Sequence, residues 1–134
     1  MVLANTLNRY QFSLGRFTSL TFATILYSAI NWSDLADVDI DDFDPSEWEV
    51  QIQVYWKCAQ AGITGYLVAY DQFGDAEISG SELSQVFAAA DTYYTTLSPA
   101  FSLSSGAKDI MVAGKASNAY TITITTLTLI FTRK

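Results

Sequence analysis

Trp48-Glu49-Val50-Gln51-Ile52-Gln53-Val54-Tyr55-Trp56-Lys57-Cys58 alternates apolar and polar residues without a break. Val50, Ile52, Val54, Trp56 and Cys58 share one face, and Glu49, Gln51, Gln53, Tyr55 and Lys57 share the other, because successive side chains of an extended chain point to opposite sides. A period of two over Trp48–Ala59 is an amphipathic strand, with one face toward a dry interior and the other toward water.

Downstream of it, Gln60-Ala61-Gly62 reads as a turn. Ile63–Asp71 sets Tyr66, Val68 and Tyr70 against Leu67 and Ala69, so a second strand is expected to pair back on the first as a hairpin. Gly74-Asp75 marks the next turn. Ile78–Phe87 admits two readings: Ser79-Gly80-Ser81-Glu82-Leu83 caps a short helix, or the stretch is a loop and short edge strand, and the second is preferred. Asp91–Leu97 is rich in Thr and Tyr and is expected to be a strand ending at Ser98-Pro99. Ser104-Ser105-Gly106-Ala107 turns the chain into a strand over Lys108–Lys115, with Ile110, Val112 and Gly114 facing one way, and Asn118-Ala119 reverses it again. In the last strand Ile122 and Ile124 are even-numbered, whereas Leu127, Leu129 and Phe131 are odd-numbered. A strand changes face only by inserting a residue, so a β-bulge is predicted at Thr125-Thr126.

Upstream, Phe17–Ile30 is β-branched and aromatic and reads as a strand, and Asn31–Ser46 reads as an acidic loop. Met1–Arg16 has no clean period and is expected to be an N-terminal arm (1–16) with few core contacts, ahead of one sandwich domain (17–134). The sum is an all-β chain, a single β-sandwich or jelly roll of about seven to eight antiparallel strands.

Composition narrows the chemistry. The chain has 134 residues, 50% of them apolar or aromatic and 16% charged, with no His and a single Cys, Cys58. That length suits one domain able to take ~65–70% of its unfolded surface out of water without staples. A Ser-His-Asp triad, a Cys-His dyad, a Cys/His zinc site and an internal disulfide are excluded. With the commonest general base missing and no two isolated acids on facing elements, the chain reads as a non-enzyme. No catalytic, cofactor or metal residue is assigned. The net charge of −7 repels a phosphate backbone and the seven bases are scattered, which argues against nucleic acid. Phe17–Ser33 and Ala116–Thr132 each run 17 residues without charge, but hydroxyl residues interrupt both, so they read as strands and not as membrane spans. Beginning at Met1, the chain reads as unprocessed and assembled in a cytoplasm, where a free thiol is stable.

The acid is concentrated, with eight of the fourteen acids between Asp34 and Glu49. Asp37, Asp39 and Asp41 stand at every second residue, as calcium ligands do, but an EF-hand would need Gly where Asp42 stands and a bidentate Glu where Trp48 stands. The segment reads as a solvated loop or a charged edge strand, with a partner-facing patch and a cation site as the alternatives. The candidate partner contacts are Arg9 and Arg16 in the arm and Asp37, Asp39, Asp41, Asp42 and Asp44 in the acidic segment. Among the aromatics, Trp32, Trp48, Trp56, Tyr66, Tyr70, Tyr93 and Tyr94 are candidates for a sugar-stacking platform, although Trp56 sits on the apolar face of its strand and fits core or subunit-interface packing better.

From Trp48 onward the order of pieces resembles the jelly-roll modules of bacteriophage virion proteins, in capsid decoration or cement proteins and tail-associated modules. These are related in plan to carbohydrate-binding sandwiches. The matching pieces are the strand Glu49–Trp56, the hairpin Gly65–Asp71, Ile78–Leu83, Phe101–Lys108 and the strand that follows, then Ser117-Asn118 before Thr121–Phe131. The resemblance implies a non-enzymatic virion structural protein that stabilises a shell by bridging subunits. It also implies partners among the major capsid or other virion proteins, self-association (a trimer being favoured), and a virion location after assembly in the host cytoplasm. The alternative it implies is a carbohydrate-binding module using exposed Tyr and Trp, with a glycan as ligand.

Overall fold

The computed structural model describes residues 9–13, 20–21, 33–39, 46–71, 76–103 and 109–134. Every regular element among them is a strand: β1 (Arg9–Ser13), β2 (Leu20–Thr21), β3 (Ser33–Asp39), β4 (Trp48–Cys58), β5 (Ile63–Asp71), β6 (Ala76–Glu77), β7 (Leu83–Phe87), β8 (Tyr94–Leu97), β9 (Phe101–Ser102), β10 (Asp109–Ala116) and β11 (Thr121–Arg133). They form two antiparallel sheets, the first in the order β1-β11-β4-β8 and the second in the order β3-β10-β5-β6. β2 shares the β1 edge of β11, β9 follows β8 along β4, and β7 precedes β6 along β5. Eleven segments therefore fill eight strand positions. Numbered along the chain, the first position pairs with the eighth, the second with the seventh, the third with the sixth and the fourth with the fifth. This is one long antiparallel ribbon rolled up, and the rolling adds the ladders β4–β11 and β5–β10. The result is a jelly roll.

Several sequence expectations change in this frame. β4 and β5 are not a hairpin: they lie in different sheets, because each already has both edges occupied by other strands. The turn before Ile63 crosses between sheets, and Gly62 takes φ +83° there. Of the two readings of the acidic stretch, loop or charged edge strand, the second holds for Ser33–Asp39, which pairs with β10. Among the described residues it is the outermost strand of its sheet, where backbone pairing on one side coexists with charge. Within the expected arm, Arg9–Ser13 pairs with Thr128–Thr132. Of the strand expected over Phe17–Ile30, Leu20–Thr21 pairs with β11 and the rest lies outside the described residues. The Ile78–Phe87 stretch is a loop followed by a strand, as preferred, and Gly80 at φ +80° turns the loop.

The core is built from the face that the alternation of β4 assigns to it. Trp48, Val50, Ile52, Val54, Trp56 and Cys58 are all buried, alongside Leu67 and Ala69 of β5, Phe87 of β7, and Ile110 and Val112 of β10. The Trp56 ring meets Phe87 edge-on at 5.1 Å, and Phe87 meets Tyr94 in the same way at 5.8 Å. Space for these rings depends on Gly65, where an added Cβ would lie 2.9 Å from Phe87 and 3.0 Å from Trp56. The predicted bulge is present. Ile124 pairs with Trp56 and Thr126 with Tyr55, so Thr125 is the extra residue and the apolar face resumes at Leu127.

Two buried serines repair the ladder where edge strands break. β4 is paired by β9 at Glu49–Val50 and by β8 from Gln53, and in the gap Ile52 N–H donates to Ser98 Oγ (2.8 Å). β5 is paired by β7 up to Leu67 and by β6 from Tyr70, and in that gap Ala69 N–H donates to Ser81 Oγ (3.0 Å). Each serine hydroxyl then donates onward, to Pro99 O (2.9 Å) and to Ile78 O (2.7 Å). A buried amide would otherwise be orphaned. Ser98→Ala removes the acceptor of Ile52 N–H and is expected to lower the unfolding free energy by about 1–3 kcal/mol. Gly65→Ala, which presses a methyl into two rings, is expected to cost a similar ~1–3 kcal/mol. Urea titration followed by Trp fluorescence measures both, and an unmoved midpoint for either variant contradicts the corresponding packing argument.

Candidate interaction surface

The candidate partner contacts do not converge. Arg9 is exposed on β1, opposite Thr132, at the edge of the first sheet. Asp37 and Asp39 lie on β3 at the edge of the second sheet, their backbone opposite Met111 and Asp109. Arg16, Asp41, Asp42 and Asp44 lie outside the described residues. Among those residues no group of three or more His, Cys, Asp or Glu stands close enough to hold a metal ion. Among them, too, no helix is long and apolar enough to cross a membrane.

The aromatic candidates divide. Trp48 and Trp56 are in the core, and Tyr70 is buried on the other face of the second sheet with Val68 and Ala113. The Trp56 indole N–H is itself committed: it donates to Thr96 Oγ1 (2.9 Å), which donates to Gln85 Oε1 (2.8 Å), tying β4 and β8 to β7 across the two sheets. Trp32 lies outside the described residues. The large exposed aromatics of the first sheet's outer face are Tyr55, at 40% exposure, and Tyr93, at 37%. Tyr55 was not among the candidate stacking residues, although the alternation of β4 already sets it on the water-facing side of the strand.

These two rings stack on each other at 4.5 Å and 13°. Lys57 Nζ stands 5.1 Å from the Tyr93 centroid and 3.9 Å from the Asp91 carboxylate, and Thr125, the bulged residue, donates its hydroxyl to Tyr93 (3.1 Å). The bulge therefore does two jobs, restoring the apolar face and aiming a hydroxyl outward. Along the same outer face the register sets Tyr55 beside Thr126 and Thr95, Gln53 beside Thr128 and Leu97, and Gln51 beside Ile130. These three rows carry amide, hydroxyl, aromatic and aliphatic groups and no charge on β4, β8 or β11, and Ile130 among them is already buried. Charge begins at the two ends. At one, Lys57 on β4 neighbours Asp91; at the other, Glu49 on β4 lies opposite Ser102, whose hydroxyl accepts from Lys134 Nζ (3.0 Å).

The described residues thus form an eight-position jelly roll whose first sheet carries Tyr55 and Tyr93 on its outer face. No family model matches the chain, and no curated protein matches it. Solved structures do. The VP2 subviral particle of infectious bursal disease virus aligns with a TM-score of 0.61 at 7% identity, over 93% of this chain and 33% of that one. A mutant VP2 in derived T=1 particles of the same virus gives 0.63 at 8%, over 93% and 31%. The T13 viral particle gives 0.57 at 11%, over 93% and 31%. The likeness is one of fold, and the chain spans about a third of the length of those VP2 chains.

The Tyr93 cluster has a measurable weight. Tyr93→Ala removes the stack, the cation contact and the hydroxyl acceptor together and is expected to destabilise by about 1–2 kcal/mol. Tyr93→Phe keeps the stack and is expected to lose less than half of that. Equal losses in thermal or urea unfolding would place the weight on the hydroxyl instead.

Proposed function

We propose that this protein is a non-enzymatic structural component of a virion, a decoration or cement protein that stabilises a phage-like shell by bridging its subunits. The observation that carries this reading is the rolled eight-position sandwich, superimposable over 93% of the chain on VP2 structures solved as virus and subviral particles. The physical basis is repetition. A contact of ~1,200–2,000 Å² is modest alone, but copied around a shell it holds neighbouring subunits in register.

On this reading the partners are the major capsid protein or another virion protein and further copies of the chain, in a virion assembled in the host cytoplasm. Met1–Arg16, whose Arg9–Ser13 stretch lies on β11, and the acidic segment are the docking elements, with Arg9, Arg16, Asp37, Asp39, Asp41, Asp42 and Asp44 as contacts. The carbohydrate-binding alternative is weaker, because the stacked Tyr55 and Tyr93 rings already cover a face of each other.

The test is direct. Density-banded particles from the source are expected to contain the chain in fixed proportion to the shell protein by quantitative mass spectrometry, and particles lacking it are expected to break at lower temperature or lower osmotic stress. A chain absent from particles but retained on a glycan array would reverse the assignment.

A further inference from the structure

The outer face of the first sheet has a charge arrangement that matches itself. Its three central rows, through Tyr55, Gln53 and Gln51, are uncharged, in a protein whose net charge is −7. Two such copies repel at long range, so a stable contact between them falls where acids are absent. The ends complete the pattern. At one end the β4 residue is the cation Lys57 and its neighbour on the β8 side is the anion Asp91. At the other end the β4 residue is the anion Glu49, and the ammonium of Lys134, whose backbone continues β11 and donates to Glu47 O, reaches across to Ser102 on the β9 side. Both β8 and β9 flank the same edge of β4. On β4 and along its β8/β9 edge the charges of the two ends are therefore inverted, with the exposed Arg9 of β1 a further cation in the Glu49 row, and Gln53 is the midpoint of β4 between Glu49 and Lys57.

We propose that this face packs against the same face of a second copy of the chain, about a two-fold axis running across the strands at the Gln53 row. That operation brings Lys57 onto the second copy's Glu49, Asp91 onto its Lys134, and Gln53 onto Gln53. An isologous contact of this kind needs one self-complementary patch. Leu97 at 49% exposure, Tyr55 and Tyr93 supply the apolar and aromatic content that contacts of this type favour. The area is sufficient: the three strand positions of β11, β4 and β8/β9 at about 4.8 Å, the β4 length at about 3.3 Å per residue, and the described stretches of β1 and β2 give a patch of roughly 600 Å². Stable pairs bury roughly 600–1,000 Å² per partner.

The pairing holds whether or not copies also form trimers elsewhere, and it stands apart from the virion reading, since it concerns the free chain. Sedimentation velocity and light scattering on the purified full chain are expected to show an even-numbered assembly that dissociates on dilution. Gln53→Arg, which sets two like charges facing each other on the axis, is expected to halve the mass. Lys57→Glu and Glu49→Lys are each expected to weaken self-association roughly ten-fold, and their combination to recover most of it. Circular dichroism melting of every variant reports on folding, and the double swap distinguishes a contact from a local packing effect. Three results overturn the proposal: an odd-numbered or monomeric mass at all concentrations, an even-numbered mass that Gln53→Arg leaves intact, or charge swaps that do not rescue one another. A monomer that binds saccharide on a glycan array, with binding lost in Tyr55→Arg, would give the face to a sugar instead.

Discussion

The ladder between β4 and β11 is the constraint on which the rest of the molecule hangs. It runs from Ile122 opposite Cys58 to Arg133 opposite Trp48, and it is the seam that closes the rolled ribbon in the first sheet. Both strands present a period-two apolar face to the same interior, so a slip of one residue would turn every buried side chain of one strand into solvent. The single insertion at Thr125 is tolerable because it sits where the apolar pattern of β11 itself changes phase.

Rolling a ribbon leaves defects at its edges, and small polar residues absorb them. Ser98 and Ser81 stand where edge partners of β4 and β5 change, and each converts a missing ladder bond into a side-chain bond. Thr96 does the equivalent across the sandwich by linking the Trp56 indole to Gln85. These bonds matter less for their net contribution, about 1 kcal/mol each, than for the larger penalty of leaving a buried donor without an acceptor. Because the first strand position pairs with the last, loop closure over almost the whole chain precedes the reward, the situation in which β-proteins fold slowly.

The division of the surface follows from the same geometry. The acidic segment contributes β3, an outermost strand, while the outer face of the first sheet is held by two central strands and is charge-free along its middle rows. Edge and face thus differ in what they can meet. A charged edge resists another strand, and an uncharged flat face with stacked tyrosines accepts a matching surface.

Alternation in β4 and the phase change in β11 were legible in the residues alone, because burial of a strand depends only on which side each residue faces. They determined the all-β class, the core side of Trp56 and the bulge. Missing His and paired Cys likewise excluded whole chemistries without any coordinates. Partnership was a different matter: β4 and β5 read as a hairpin, yet β4 pairs with β8, β9 and β11 and β5 with β6, β7 and β10 in the other sheet, since hydrogen bonding between strands carries no side-chain label. The same is true of the acidic stretch, which joined a sheet edge, and of Tyr55, Lys57, Asp91, Glu49 and Lys134. Their arrangement on one face exists only after non-local pairing has set the register. Local pattern states which side of a strand is dry; only the closed roll, in which every backbone amide must find an acceptor, decides which strands meet.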